Sequence, residues 1–431
     1  MALPGVKTVL KDRFYTLSRT DIPAGPRVLA IATRTTADGT SDGSNAVFDY
    51  DPYYATNEKA VIAAFGEASG CHRAYLELVS GGASRVYIVA LPKGTTDANI
   101  QSKVAVTVTG DGTDHNHGSH IPFDKAFEAA ESAQPDIIVP WGRGGHPLEW
   151  EETATPGDDP EFGFYADTTS TAANSMVKRV ADAVAEITDR SHPCFAVMGI
   201  KPFVDDSDTG RSTTGAMTAS QISSHLALAN MPSREASGMG DTGPYVSVVA
   251  SEIQPLGYDL STFGYSNGAA MYAGFIAQIV SFSAPTGKIV YNVQGLRYNP
   301  TRTQADSVST KGVVPVALDF GRVPVWVDGV TFGKSTSDYV RLSTLRIAFD
   351  AVQLVRRIAQ GFIGEGATVA NRNALETAIS AALRSMQQAG ALVASDFIVS
   401  YFPAENKALV DLVITPAFEL RNIEIQVAIQ I

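Results

Sequence analysis

Histidine is missing from the last 206 residues of this chain: all seven, His72, His115, His117, His120, His146, His192 and His225, lie in the first 225 of its 431 residues. Cysteine is almost absent. Cys71 and Cys194 are the only two, too few to frame a protein of this size with disulfides, which points to a reducing compartment. No run of basic residues occurs, and the net charge is -12. That balance argues against duplex nucleic acid or an anionic membrane as the main partner, since both attract basic surfaces. The longest apolar stretch, AAMYAGFIAQIVSF at 269–282, is too short and too interrupted by Gln278 to span a bilayer, and reads as a core segment. The opening MALPGVKTVLKDRF lacks the basic-then-apolar layout of a secretory leader, so export by that route is not expected. WGRGGH, SGGAS and GEGATVAN hold glycines but no Gly-Lys-Ser/Thr, so no nucleotide-cradling loop and no cofactor is expected.

These absences bear on the patterns that do suggest chemistry. GYSNG at 264–268 fits Gly-x-Ser-x-Gly, in which flanking glycines permit the sharp turn that presents a nucleophilic serine, here Ser266. In the hydrolase fold that uses this turn an acid and a histidine follow the serine; here no histidine does. A serine hydrolase using Ser266 is the alternative reading, and a loop before a buried segment the plainer one. The run DHNHGSH offers His115, His117 and His120 beside Asp111 and Asp114, ligands of the right type for a metal. Their loose spacing among Gly, Thr and Ser favours a solvated loop. VDDSDTG lacks the distal Glu and the full layout of a calcium loop. The expectation is a chain with no catalytic, cofactor or metal residues, and hence a structural protein.

What is present is an alternation of strand and helix. PRVLAIATR, RVYIVAL, DIIVPWG and CFAVMGI are apolar runs of strand length, and helical patterns lie near 58–65, 75–79, 123–133 and 174–187. Such runs are expected of parallel strands buried on both faces, which predicts an α/β domain, α+β over the whole chain. Between 245 and 333 the stretches read as β-like, broken by Gly, Pro and Ser. A long amphipathic helix over 342–362 places Leu345, Ala348, Val352, Val355 and Ala359 near one stripe, with Arg346, Arg356 and Arg357 off it. A second helix follows over 371–390, starting at Asn371 and stopping at Gly390. FIVSYF and ALVDLVITP read as strands. The chain ends in IEIQVAIQI, with Ile423, Ile425, Val427, Ile429 and Ile431 on one face.

Several of these stretches together resemble the contractile tail sheath proteins of bacteriophages and related injection particles. They are PGVKTVLKD with IPAGPRVLAIAT, FGEASGCHRAYLELVSGGASRVYIVAL, VWVDGVTF, STLRIAFDAVQLVRRIAQGFIGE, NRNALETAISAALRSMQQAGAL and the closing IEIQVAIQI. The order of elements agrees over nearly the whole chain, and motif similarity is concentrated in about the last hundred residues. The resemblance implies four parts: an extended arm over 1–25, an outer α/β region over 26–325, an inner tube-facing α+β domain over 326–416, and a strand arm over 417–431. It implies a structural subunit that assembles helically around an inner tail tube and contracts to drive the tube through a host envelope. Its partners would be further copies of itself, the tube protein, and baseplate and terminator proteins, with no nucleic acid and no membrane. Its place would be the tail of a virion or related particle, made in the bacterial cytoplasm. Val6, Thr8 and Leu10, with Ile423, Ile425, Val427, Ile429 and Ile431, would form inter-subunit strands, and Arg346, Arg356 and Arg357 would contact the tube.

Overall fold

Each of the apolar runs forms a strand of one large sheet in the computed structural model. The structure describes residues 26–33, 50–67, 69–91, 106–108, 118–120, 122–140, 149–150, 176–200, 219, 222–223, 226, 234–235, 241–258, 260, 264–319, 322–402, 404, 406–417 and 419. Strands β1 (Arg27–Thr33), β3 (Arg85–Leu91), β6 (Ile137–Pro140), β8 (Phe195–Ile200), β9 (Val246–Ala250) and β13 (Val313–Leu318) are parallel and lie side by side in the order β3-β1-β6-β8-β9-β13. Renumbered along the chain this order is second, first, third and onward, the flavodoxin-like form of the doubly wound sheet. Antiparallel strands close both sides: β2 (Pro52–Ala55) on β3, and β14 (Pro324–Trp326) with β11 (Lys288–Ile289) beyond β13. The two-residue strand β7 (Glu149–Trp150) adds to the end of β8.

Helices cover both faces because successive side chains of a strand point to opposite sides. Val28, Ala30 and Ala32 face a cluster built with α1 (Glu58–Phe65), α2 (Gly70–Gly81), α5 (Ala269–Gln278) and α7 (Leu342–Gln360). Leu29 and Ile31 face the other cluster, with α3 (Pro122–Ala133), α4 (Met176–Arg190) and α6 (Arg302–Thr310). Helix α2 starts five residues before the expected one because the Ser69 side chain accepts from the His72 N–H and caps it there. It crosses α5 through glycines: a Cβ on Gly81 would lie 2.2 Å from the Met271 carbonyl oxygen, and one on Gly274 2.3 Å from that of Leu78. Helix α5 takes the first ten residues of the 269–282 apolar stretch, and every residue from Ala269 to Ala277 is buried, as expected of a core segment, whereas Val280 and Phe282 beyond it are exposed.

Three departures from the sequence reading have local causes. Helix α6 falls in a region read as β-like; a Thr301–Gln304 capping box starts it, and only Ala305 and Val308 are buried. Strand β2 falls between the first expected strand and the helix at 58–65, where the sequence reading placed no element; it pairs antiparallel with β3. Helix α8 (Val369–Gln388) is capped by Thr368, whose hydroxyl accepts from the Asn371 N–H, and not by Asn371 itself. Beyond α8 the antiparallel pair β15 (Leu392–Phe402) and β16 (Lys407–Pro416) forms a separate two-stranded sheet, as do β10 (Ile253–Pro255) with β12 (Val293–Leu296) and β4 (Val106–Val108) with β5 (Gly118–His120). Among the described residues no helix is long and apolar enough to cross a membrane.

Candidate assembly interface

GYSNG is not an exposed elbow. Gly264 and Gly268 have φ of 67° and 77°, left-handed values that favour glycine, and a Cβ on Gly268 would lie 2.2 Å from the Ser251 Oγ. Between them Ser266 pairs with Ile253 in a β-bridge, fully buried. Its hydroxyl donates to Glu77 Oε2 at 2.5 Å, while Glu77 Oε1 accepts from the Tyr258 hydroxyl at 2.7 Å and from Arg73 Nε at 3.0 Å. Arg73 also donates to the Tyr265 carbonyl. Burial pushes the Tyr258 hydroxyl well above its usual pKa, and the neighbouring Arg73 and Glu77 act in opposite directions on it. A second buried pair, Arg297 with Glu252 at 2.7 Å, adjoins Tyr265, with the Arg297 guanidinium over its ring. Ser266 therefore satisfies a buried carboxylate, which a nucleophile open to substrate could not do. The glycines that suggested an elbow serve the entry into α5.

The three arginines of α7 separate. Arg346 is 7% exposed and donates to the carbonyls of Ile276 at 3.0 Å, Ile279 at 2.7 Å and Val280 at 3.3 Å, closing the C-terminal end of α5. Arg356 is 9% exposed and donates to the Ser191 carbonyl, at the end of α4. Both sit where cations are favoured, against the unpaired carbonyls of a helix C-terminus. Arg357 is exposed. The expected face of α7 was too narrow: the helix packs on the ends of two others, so a band wider than the apolar stripe is covered, and its long arginines reach carbonyls across the layer. Of the three, Arg357 alone has an exposed side chain.

Beside α7, His192 Nε2 lies 3.2 Å from Asp136 Oδ1 and 3.1 Å from Gln353 Nε2, and the Arg27 backbone N–H donates to Asp136 Oδ2 at 2.7 Å. Burial works against ionisation of Asp136, but the hydrogen bond and charge of His192, with the donors from Arg27 and Gln353, outweigh it and hold the carboxyl below its ordinary pKa. Burial pushes the Cys194 thiol up to about 12, which leaves it an unreactive core thiol.

The β15–β16 sheet differs from the large one. One face packs Phe397, Val399, Val410, Leu412 and Ile414 against the body. The other bares Val393, Ile398, Phe402, Leu409 and Val413, with Ile398 65% and Val413 53% exposed. Neither β15 nor β16 has a second partner among the described residues, so each leaves an edge of backbone donors and acceptors unpaired. Ala417 continues from it, its N–H donating to the Ala391 carbonyl, and Glu419 accepts from the Thr286 hydroxyl. The arm residues Val6, Thr8 and Leu10, and Ile423, Ile425, Val427, Ile429 and Ile431, lie outside the described residues, as do Asp111, Asp114, His115 and His117. His120 ends β5. Among the described residues no group of three or more His, Cys, Asp or Glu is placed to hold a metal ion.

No family model and no curated protein sequence matches this chain. Solved structures do. A chain of the anti-feeding prophage baseplate superposes with a TM-score of 0.60 at 12% identity, covering 100% of both chains. The helical sheath of the anti-feeding prophage in its contracted state gives 0.57 at 14% identity, over 99% of each. The sheath tail protein of Listeria innocua gives 0.56 at 11% identity, covering 93% of this chain and 94% of that one. From the first strand of the large sheet to the β15–β16 hairpin, this chain has the fold of the contractile tail sheath proteins.

Proposed function

We propose that this chain is the structural subunit of a contractile tail sheath, in a phage or a phage-like injection particle, and that it assembles helically with copies of itself around an inner tube. The observation that carries the reading is the likeness of fold over the entire chain to proteins described as helical sheath, sheath tail protein and baseplate component. The unpaired β15–β16 edges supply the physical means. The segment 423–431 alternates apolar and polar residues, and at roughly 3.3 Å per residue it would span about 30 Å, enough to reach a neighbour and add a strand to that hairpin. The N-terminal arm, through Val6, Thr8 and Leu10, is the second such strand. Head-to-tail contacts of this kind generate an open helix when the rotation between neighbours does not close a ring.

In this reading the subunit has an N-terminal arm over 1–25, an outer region over 26–325, an inner domain over 326–416 and a strand arm over 417–431. Contraction repacks subunits between two arrangements while the strand links hold, and the difference in packing free energy supplies the work without a nucleotide. Arg357, on the exposed side of α7, is the tube contact. Baseplate and terminator proteins hold the two ends, and the assembly is built in the bacterial cytoplasm. Electron microscopy of the concentrated protein tests this. The full chain is expected to form long hollow striated tubes, and a chain lacking residues 423–431 to remain a folded monomer; compact particles from the full chain, or tubes from the shortened one, contradict the proposal.

A further inference from the structure

A cleft of about 590 Å³ opens across the amino ends of the parallel strands, bounded on one side by α7. Ligands of doubly wound sheets gather outside the opposite, carboxyl ends, at the point where strand order reverses. This cleft therefore does not coincide with the small-molecule crevice of its fold class. Its composition is also unlike the rest of the molecule. Arg27, Arg85, Arg346, Arg356 and Arg357 line it against two aspartates, Asp136 and Asp350, in a chain whose net charge is -12.

Three of those arginines are occupied. Arg346 and Arg356 close the ends of α5 and α4, and Arg27 Nη1 donates to the Ala133 carbonyl at 3.0 Å at the end of α3. The side chains of Arg85 and Arg357 have neither a hydrogen bond nor an ion pair with any described residue. Arg85 stands in register with Arg27 on the neighbouring parallel strand, so two like charges leave the sheet on the same side, an arrangement that costs stability unless an anion completes it. Asp136 does not complete it, being engaged by His192, Gln353 and the Arg27 backbone. At the same cleft Val280 and Phe282 are 52% and 40% exposed, apolar surface beside the unpaired charge.

We propose that this cleft binds a peptide segment of a partner protein that carries carboxylates flanked by apolar residues, with Arg85 and Arg357 contacting the carboxylates and Val280 and Phe282 the apolar side chains. Planar guanidinium forks suit carboxylates, and apolar contacts beside them select a peptide over a small anion. The proposal rests on the sheath reading only for the supplier of the segment, which is then the enclosed tube protein.

The test is calorimetric titration of the full-length chain with a short synthetic peptide alternating glutamate and leucine, beside its glutamine counterpart and inorganic phosphate. The glutamate peptide is expected to bind saturably and the other two to bind at least about tenfold more weakly, as loss of a charge-assisted contact predicts. Arg85→Gln with Arg357→Gln, and separately the surface change Arg357→Glu, should each weaken binding by about tenfold or more while the melting temperature holds. No saturable binding of the glutamate peptide, equal binding of phosphate, or equal binding by folded variants would overturn the proposal. Tube formation is read separately: a chain that binds the peptide but never forms tubes contradicts the sheath reading and leaves the cleft standing.

Discussion

The large sheet and the β15–β16 hairpin are both made of apolar strand residues, yet only one of them is finished. In the large sheet, Val28 through Ala32, Phe195 through Ile200 and Val246 through Ala250 are buried on both faces, and antiparallel strands close its flanks. In the hairpin one face packs and the other leaves Val393, Ile398 and Val413 more than half exposed, with both edges open. A soluble monomer gains nothing from such a surface, and an open apolar edge invites association. The difference shows where the subunit's own stability resides and where the stability of an assembly would be made.

The sharpest way to break the comparison is to unpair the core. Glu77→Ala leaves Arg73 a buried charge without its carboxylate and is expected to cost about 3–5 kcal/mol of unfolding free energy by chemical denaturation. A loss under about 1 kcal/mol would mean that this core is far looser than its burial implies. Arg346→Ala strips three carbonyls at the end of α5 of their donor, for an expected loss of about 2–4 kcal/mol in the same measurement.

Acid titration gives a smaller effect of known sign. The Asp136 carboxyl is held below its usual pKa in the folded chain, so its contribution is fully present above the unfolded value, about 3.9. That contribution is lost as the pH falls through the lower folded value. Asp136→Asn should therefore reduce stability at neutral pH and flatten the acid limb of the stability–pH curve. An unchanged acid limb would contradict that assignment.

The smallest effect on the monomer belongs to the hairpin. Ile398→Ser with Val413→Ser should change unfolding free energy by no more than about 0.5 kcal/mol, as surface substitutions do, yet reduce tube formation measured by sedimentation. A large loss of monomer stability would show that the outer face already packs within the subunit.

The large sheet was legible in the sequence because its strands are uninterrupted apolar runs, and burial on both faces leaves such a run no other place to go. Helix α6 was not legible: RTQADSVST buries only Ala305 and Val308, too few to set a helical period, and its start depends on a side-chain capping box. The α7 period revealed the helix, but not the roles of Arg346 and Arg356. Their partners are carbonyls 70 and 165 residues distant in the chain, and helix ends brought together by tertiary packing leave no local signal. GYSNG misled for a related reason. Its glycines do set an unusual backbone, but what Ser266 faces is decided by Glu77, 189 residues earlier. The hairpin itself was only partly legible, since FIVSYF is the second half of an eleven-residue strand whose first half, Leu392 to Asp396, is small and polar after its opening residues.

Hydrogen exchange of the backbone amides in β15 and β16, compared between monomer and assembled tubes, tests the central claim most directly. If a neighbour's strand completes the hairpin, edge amides that exchange freely in the monomer become protected in the tubes, while the large sheet is protected in both. Tubes whose hairpin amides exchange as fast as those of the monomer would contradict the account.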